Sequence, residues 1–438
     1  MRIAIGCVLA LSAGTAGAAP LTADECVAVA LAKSAKIEEA AAKVREYEAR
    51  LAEVESVYYP KLQAVAYVAP MFTLSGDATH FERRYKSSKD WGPYTHLQAL
   101  LAQPLYTFGR AEAGEVAAAE RVEVERARVR EVELAVALEV RKLYYGRLLA
   151  LSMLPALDAA AATVREALER GEERYDAGTG EVSQADLMKL TYGRSEIAKG
   201  QLEAQYGATL AAAALKQAMG LADDQPLALA DDRLPDLPGE EPLSVPALVA
   251  ESARRRPEWR QIQHGRRAVE SLALAELRAN YPVLFAAGQL TYDWTPMRQD
   301  SPNPYVYDAY NQLVGGVAIG LLFNLDPALA AAKARGAEAL AAEIDALDRF
   351  AATGIPLRVR KAAGDLQRAR RLAELSADGV KATKKWMAFA ATQYLTGLGD
   401  ARDLLEGLVA YLSAKKAAYQ ASYEYFVSRA ALDFAVGH

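Results

Sequence analysis

Four histidines, His80, His96, His264 and His438, are the side chains of this sequence best suited to hold a metal ion. They are scattered. None stands in a His-x-x-x-His pair or beside a cysteine, so the spacing supplies no metal-ligand set. His80 and His96 fall in or beside a strand-loop region and read as solvent-exposed. Gly178-Thr179-Gly180 and Gly397-Leu398-Gly399 lack the third glycine and the preceding strand of a dinucleotide site, and neither GxxxxGK nor GxSxG occurs. With no constellation for nucleophilic, acid-base or metal chemistry, the chain reads as no enzyme and calls for no cofactor or metal. The glycine pairs read as turns between helices.

The elements that carry these residues follow from composition and pattern. The 51 basic and 56 acidic residues give a net charge of −5 with no basic run, which excludes nucleic acid as a partner. Arg2, the apolar run Ile3–Leu11 and the small residues Ala16-Gly17-Ala18 have the layout of a secretory signal peptide over 1–18, so the mature chain is expected to begin near Ala19. No later segment offers about 20 consecutive apolar residues, and no transmembrane helix is expected. Cys7 lies too early for a lipoprotein site and leaves with the signal. That leaves Cys26 without a disulfide partner, read as a small buried thiol.

The sequence is written twice. Val57-Tyr58-Tyr59-Pro60 closes a helical stretch and opens an alternating run, and about 222 residues later Ala279-Asn280-Tyr281-Pro282 does the same. A residue before proline is pushed out of the helical region, so Pro60 and Pro282 mark helix-strand junctions. Gln103-Pro104-Leu105-Tyr106-Thr107-Phe108-Gly109-Arg110 corresponds to Gly320-Leu321-Leu322-Phe323-Asn324-Leu325-Asp326-Pro327. Further on, Tyr175-Asp176-Ala177-Gly178-Thr179-Gly180 recurs as Tyr394-Leu395-Thr396-Gly397-Leu398-Gly399, followed by Asp186-Leu187 and Asp403-Leu404. An amphipathic helix over Leu21–Ile37 is matched by Ser244–Glu258, with Pro257 at the position of Ala35. The first repeat is therefore expected over 19–221 and the second over 244–438, joined by a connector over 222–243 rich in proline and acidic residues.

Each repeat should hold two strands, near 61–72 and 94–106 and near 283–294 and 312–325. The first puts Leu62, Ala64, Ala66 and Val68 on one face and Lys61, Gln63, Val65 and Tyr67 on the other. Aromatics bracket the strands: Tyr58, Tyr59, Tyr106 and Tyr281 at one end, Phe72, Trp91 and Trp294 at the other, the layout of a girdle at two bilayer interfaces. A soluble four-stranded sheet is the competing reading. Four strands leave two open edges, which hydrocarbon does not tolerate, so closure must come from further copies, three of which give twelve strands.

After each strand pair the sequence is helical by composition. Arg110 to about Tyr175 amounts to about 95 Å of rod at 1.5 Å per residue, longer than a compact core needs. The counterpart runs from Ala328 to Tyr394, and return helices are expected over Val182–Met219 and Asp400–Leu432. Pro155 and Pro356 lie inside the long helices, where each should kink or break the rod. A soluble periplasmic coiled-coil adaptor or structural rod is the alternative, but it calls for a single hairpin rather than two alternating with strand pairs.

In this order of elements, in the Tyr-Pro junctions, the Gln-Pro-Leu-Tyr-Thr-Phe-Gly-Arg entry to the long helix and the glycine-bearing tips, the chain resembles the TolC-type outer-membrane efflux family over its whole mature length. The resemblance implies a mainly α fold with a small β part, a homotrimer with a shared twelve-stranded transmembrane barrel and a helical periplasmic barrel, and outer-membrane lipid around the strands. It also implies partnership with a periplasmic adaptor and an inner-membrane transporter in a tripartite efflux or type I secretion system. The family narrows its tunnel with acidic rings just past the second tip, which places Asp403 and Glu406 at the two ring positions, three apart and so on one helical face. Tyr394 matches the tyrosine of the family's gate, with Asp186 as its acceptor across the tips; Gly399 stands where an arginine is expected, and Arg402, one turn on, is the substitute.

Overall fold

The computed structural model describes residues 20–73, 91–178, 182–239, 242–298, 305 and 307–438. The signal peptide over 1–18 with Cys7, together with His80 and Gly180, lies outside the described residues. The chain forms two compact units, one from Met1–Ala42, Ala127–Trp259 and Phe350–His438, the other from Lys43–Arg126 and Arg260–Arg349.

Each repeat opens with two helices, α1 (Ala23–Lys33) and α2 (Ala35–Glu55) in the first, α5 (Val245–Arg255) and α6 (Pro257–Leu277) in the second. The single helices expected over Leu21–Ile37 and Ser244–Glu258 are thus each split at one residue, Ser34 and Arg256, whose ψ angles of 126° and 127° are extended. Pro257 forces the second break, because Arg256 precedes it. Ala35 exerts no such force, and the first break is fixed by packing instead. Gly220, with φ +67°, lies so close that a Cβ there would sit 2.2 Å from the Lys33 carbonyl oxygen. Gly437, φ +101°, closes on Arg255 in the same way.

The strands are β1 (Lys61–Phe72), β2 (Trp91–Tyr106), β3 (Val283–Trp294) and β4 (Gln312–Leu322). β2 begins three residues before the expected Tyr94, because Gly92 and Pro93 continue the pairing with Met71 and Pro70, and β4 stops at Leu322 rather than Leu325. The long helices are α3 (Arg110–Asp176), α4 (Gln184–Ala218), α7 (Pro327–Thr396) and α8 (Ala401–Val436). Thr107 starts α3 by accepting from the Ala111 N–H at 3.1 Å, and Asp326 starts α7 by accepting from the Leu329 N–H at 3.1 Å, with Pro327 at the first helical position.

Neither Pro155 nor Pro356 breaks its helix. Each costs one backbone hydrogen bond, but the flanking Ala156, Leu157 and Ile355 are buried and hold the helix continuous across the gap. Among the described residues no helix contains about 20 consecutive apolar residues, but one comes near a membrane span in length and apolar character. α3 carries one stretch long and apolar enough by length and composition. Leu148, Leu157 and Val164 along this part of α3 are buried in the clusters of the first unit, although only 33% of the apolar stretch is buried.

That unit's core gathers Cys26, Ala30, Val140, Tyr144, Leu148, Leu215 and Met219. Burial pushes the Cys26 thiol up to about 11. The connector is irregular yet pinned: the Tyr144 hydroxyl donates to Asp231 at 2.7 Å, and the Leu234 N–H donates to the buried Ser152 hydroxyl at 2.9 Å.

Candidate functional site

Two places in the fold combine chemistry with position. The first is the sheet, ordered β1-β2-β3-β4 with every pair antiparallel. Its register puts Tyr67, His96, Asp293 and Gln312 in one row across the four strands, and Leu62, Leu101, Gly288 and Val317 in another. Side chains alternate along a strand, so one face carries Gln63, Tyr67, Gln98, Gln289 and Thr291 and the other carries Leu62, Val68, Leu97, Leu290, Leu313 and Ile319. Both faces are open in the single chain, and the apolar one markedly so: Val317 is 92% exposed, Ile319 75% and Leu313 70%. Soluble proteins seldom leave such a patch uncovered.

The polar face is organised around Asp293, which is buried on a strand. Tyr94 donates to its Oδ1 at 2.5 Å, His96 Nδ1 lies 2.6 Å from the same oxygen, and Gln312 donates to Oδ2 at 2.8 Å. The Tyr67 ring stacks on His96 with centroids 4.8 Å apart. This corrects the reading of His96 as solvent-exposed: its imidazole is held between a carboxylate and an aromatic ring. His264 likewise meets a carboxylate, Glu120, at 2.5 Å. Among the described residues no cluster of three or more His, Cys, Asp or Glu has metal-binding geometry.

The girdle aromatics sit at the strand ends. Phe72 and Trp91 pair edge-to-face across β1 and β2 with centroids 5.9 Å apart, and Trp294 ends β3. At the other end Tyr58 and Tyr59 precede β1, Tyr106 ends β2 and Tyr281 precedes β3; all four are exposed. The elbow from β2 into α3 is tight. Gly109 has φ +81° and its ideal Cβ would lie 2.3 Å from Arg278, whose guanidinium donates to the Gly109 carbonyl at 2.9 Å, so only glycine fits there.

The second place is the pair of helix tips in the first unit. Gly178 and Gly397 have φ of +65° and +85° and terminate α3 and α7 as helix-turn glycines do. Between the tips lies a small core of Ala167, Leu168, Leu190, Tyr394, Ala401 and Leu404. Tyr394 is 1% exposed, its hydroxyl has no hydrogen-bond partner, and burial raises its pKa above the usual phenol value.

The expected partners of Tyr394 are engaged elsewhere. Asp186 closes a capping box with Ser183 at the start of α4 and pairs with Lys189 at 3.0 Å; the Ser183 hydroxyl and then Lys189 hold its carboxyl below the usual range. Arg402 turns along its own helix to Glu406, Nε to Oε1 at 2.7 Å. Gly399 is not a vacancy awaiting an arginine. A Cβ there would lie 2.9 Å from the Gln393 side chain, so the turn is too tight for one.

The bond between the tips comes from a residue that the sequence reading passed over. Arg174, in the last turn of α3, donates to the Tyr394 carbonyl at 2.7 Å and to the Leu395 carbonyl at 2.5 Å. These are the last carbonyls of α7, where the helix dipole favours a cation; the Tyr394 carbonyl also accepts from the Gly397 N–H at 3.1 Å. The signal was present: an arginine immediately before Tyr175 at a helix end. Asp403 and Glu406 lie in the first turns of α8, both exposed, and the Asp403 N–H donates to the Asp400 cap at 2.8 Å.

Against known proteins, the family model described as outer membrane efflux protein matches residues 27–221. No curated protein matches the chain significantly in sequence. Several solved structures share the fold. The outer-membrane channel OprN is 18% identical, with a TM-score of 0.74 over 95% of this chain and 89% of its own. The Campylobacter jejuni CmeC outer membrane channel is 15% identical, with a TM-score of 0.74 over 98% and 90%. The outer membrane protein VceC of Vibrio cholerae is 15% identical, with a TM-score of 0.71 over 95% and 96%. At these identities the likeness speaks for the fold, and it spans both repeats. The matched segment ends where α4 has just closed, and the rest of the chain rebuilds the same helix pair, strand pair and long helical hairpin in the same order, so residues 27–221 match the outer membrane efflux protein family and the chain as a whole has the fold of the solved outer-membrane channels.

Proposed function

We propose that three copies of this chain close into one duct, working with a periplasmic adaptor and an inner-membrane transporter to pass cargo across the periplasm and the outer membrane. The observation that carries this reading is the two-faced sheet. Its apolar face is open and its end strands β1 and β4 have a free edge each. Unpaired backbone groups cost several kcal/mol each in hydrocarbon, and sheets cross bilayers only as closed barrels. One chain of four strands cannot close, whereas twelve strands enclose an aqueous lumen. The face with Gln63, Gln98 and Asp293 then lines water, and the face with Leu62, Leu313 and Val317 meets lipid between the two aromatic girdles.

The helix tips are the proposed periplasmic gate. Three copies of Asp403 and Glu406 form two acidic rings, a filter that favours cations when the tips are drawn together. Glu406 is partly neutralised by Arg402, so Asp403 is the stronger ring. Arg174 holds the second tip against the first. The test of the assembly is the native mass of the detergent-extracted protein. The reading predicts three times the mass of the mature chain, and a monomer stable across detergents contradicts it.

A further inference from the structure

The sheet ends on two unlike edges, β1 on one side and β4 on the other. In a ring of three copies each edge meets the other edge of the next chain, a head-to-tail contact in which two different surfaces must complement each other. Within the chain the register is continuous: Tyr67, His96, Asp293 and Gln312 stand in one row from edge to edge. The contact between copies is then set by how far β4 slides along β1 of its neighbour, and three requirements limit the slide.

The first is face. An odd slide sets the polar residues of β4 beside the apolar residues of β1, so only even slides keep each face continuous. The second is tilt. With strands about 4.8 Å apart and residues about 3.3 Å along them, slides of two, four and six residues per copy tilt the strands of a twelve-stranded barrel by about 19°, 35° and 46°, against about 35–45° in known barrels. The third is overlap. Moving Gln312 four residues up from the Tyr67 row, to Met71 of the neighbouring copy, brings all 11 residues of β4 opposite Met71–Lys61. A slide the other way leaves more than half of β4 unpaired.

Side-chain size singles out the four-residue slide. It sets Val317 and Ile319, 92% and 75% exposed on the apolar face, opposite Ala66 and Ala64, and Val68, 69% exposed, opposite Gly315. On the polar face Gly316 falls opposite Tyr67. Its own chain does not call for a glycine there, since a Cβ on Gly316 would meet nothing within 4 Å beyond its chain neighbours. A slide of six residues instead sets Val317 against Val68 and Gly316 beside Ala69, and a slide of two sets Ile319 against Leu62 and Gly315 beside Ala66. Both oppose large to large and small to small, whereas well-matched cross-strand pairs are what stabilises a sheet. We infer that the barrel closes by antiparallel pairing of β4 with β1 of the next copy, in the register that sets Val317 opposite Ala66, Ile319 opposite Ala64 and Gly316 opposite Tyr67. The inference rests on the trimeric duct proposed above and names the residues that close it.

Paired cysteines test it. Ala66→Cys with Val317→Cys, and separately Ala64→Cys with Ile319→Cys, stand directly opposite in this register, with Cα atoms about 4.5–5.5 Å apart, a span that a disulfide bridges. Within one chain β1 and β4 are three strand spacings apart, about 14 Å, so a link between them joins two copies. Ala66→Cys with Ile319→Cys, and Ala64→Cys with Val317→Cys, recombine the same positions. They face each other only in the six- and two-residue slides, and in the inferred register they are diagonal neighbours about 7–8 Å apart, too far for the bond. Cys26 is buried, and the wild-type protein gives the background. Mild oxidation of the detergent-extracted protein is expected to link copies covalently in both directly opposed variants, at least about tenfold faster than in the recombined ones, as read on non-reducing gels. Linking as fast or faster in a recombined variant overturns the register and leaves the duct intact. Absence of linked copies from all four variants, in protein whose native mass is that of three chains, overturns the pairing of β4 with β1. Wild-type protein that is monomeric by native mass overturns the duct itself.

Discussion

Replacing Arg174 with alanine is expected to raise the open fraction of the channel about tenfold or more. The guanidinium makes two charge-assisted hydrogen bonds to the final carbonyls of α7, at 2.7 and 2.5 Å. Such bonds contribute roughly 1.5–3 kcal/mol each when buried and less where water reaches them. A combined loss of about 1.4 kcal/mol already shifts a two-state equilibrium tenfold. The α7 carbonyls gain water in exchange when the tips part, which is why the loss falls on the closed state alone. Single-channel recording of the variant in a planar bilayer reads the change as longer and more frequent openings. Tyr394→Phe is the informative contrast. The hydroxyl is buried without a partner, so its removal should leave gating near wild type. If Tyr394→Phe opens the channel and Arg174→Ala does not, the strut is misassigned.

The second large effect concerns charge at the tip. In a trimer each Asp403 is repeated three times around the axis, and unit charges about 7 Å from a permeating ion contribute about 0.6 kcal/mol each in water, nearly 2 kcal/mol for a ring. Asp403→Asn is therefore expected to cut the cation-over-anion permeability ratio by at least about tenfold and to weaken block by divalent cations. Glu406→Gln should act more weakly, because Arg402 lies 2.7 Å from Glu406 and offsets part of its charge. Reversal potentials in asymmetric KCl give both ratios. Unchanged selectivity in the double variant contradicts the ring assignment, and a larger effect from Glu406→Gln contradicts the role given to Arg402.

What could be read in the sequence depended on whether the cause was local. The residue before Pro60 or Pro282 must leave the helix whatever surrounds it, and alternation in Lys61–Phe72 is a property of the strand itself. The break at Ser34 is different, since it depends on Gly220, far along the chain, closing on the Lys33 carbonyl. His96 appeared solvent-exposed because nothing nearby in sequence signals Asp293, which reaches it only through the β2–β3 register. At the tips the same distinction decides the outcome. Ser183 and Asp186 satisfy each other over three residues, a local capping box that removes Asp186 from the long-range contact expected of it. Arg174 could be found only once α3 and α7 were seen to end side by side.

All of this hangs on a sheet that becomes a pore when copies close it. The most direct test is conductance of the purified wild-type protein in a planar lipid bilayer. The account predicts discrete, long-lived steps with preference for cations, of one unitary size under fixed conditions. Protein that inserts without steps, or that remains soluble without detergent and never inserts, contradicts it.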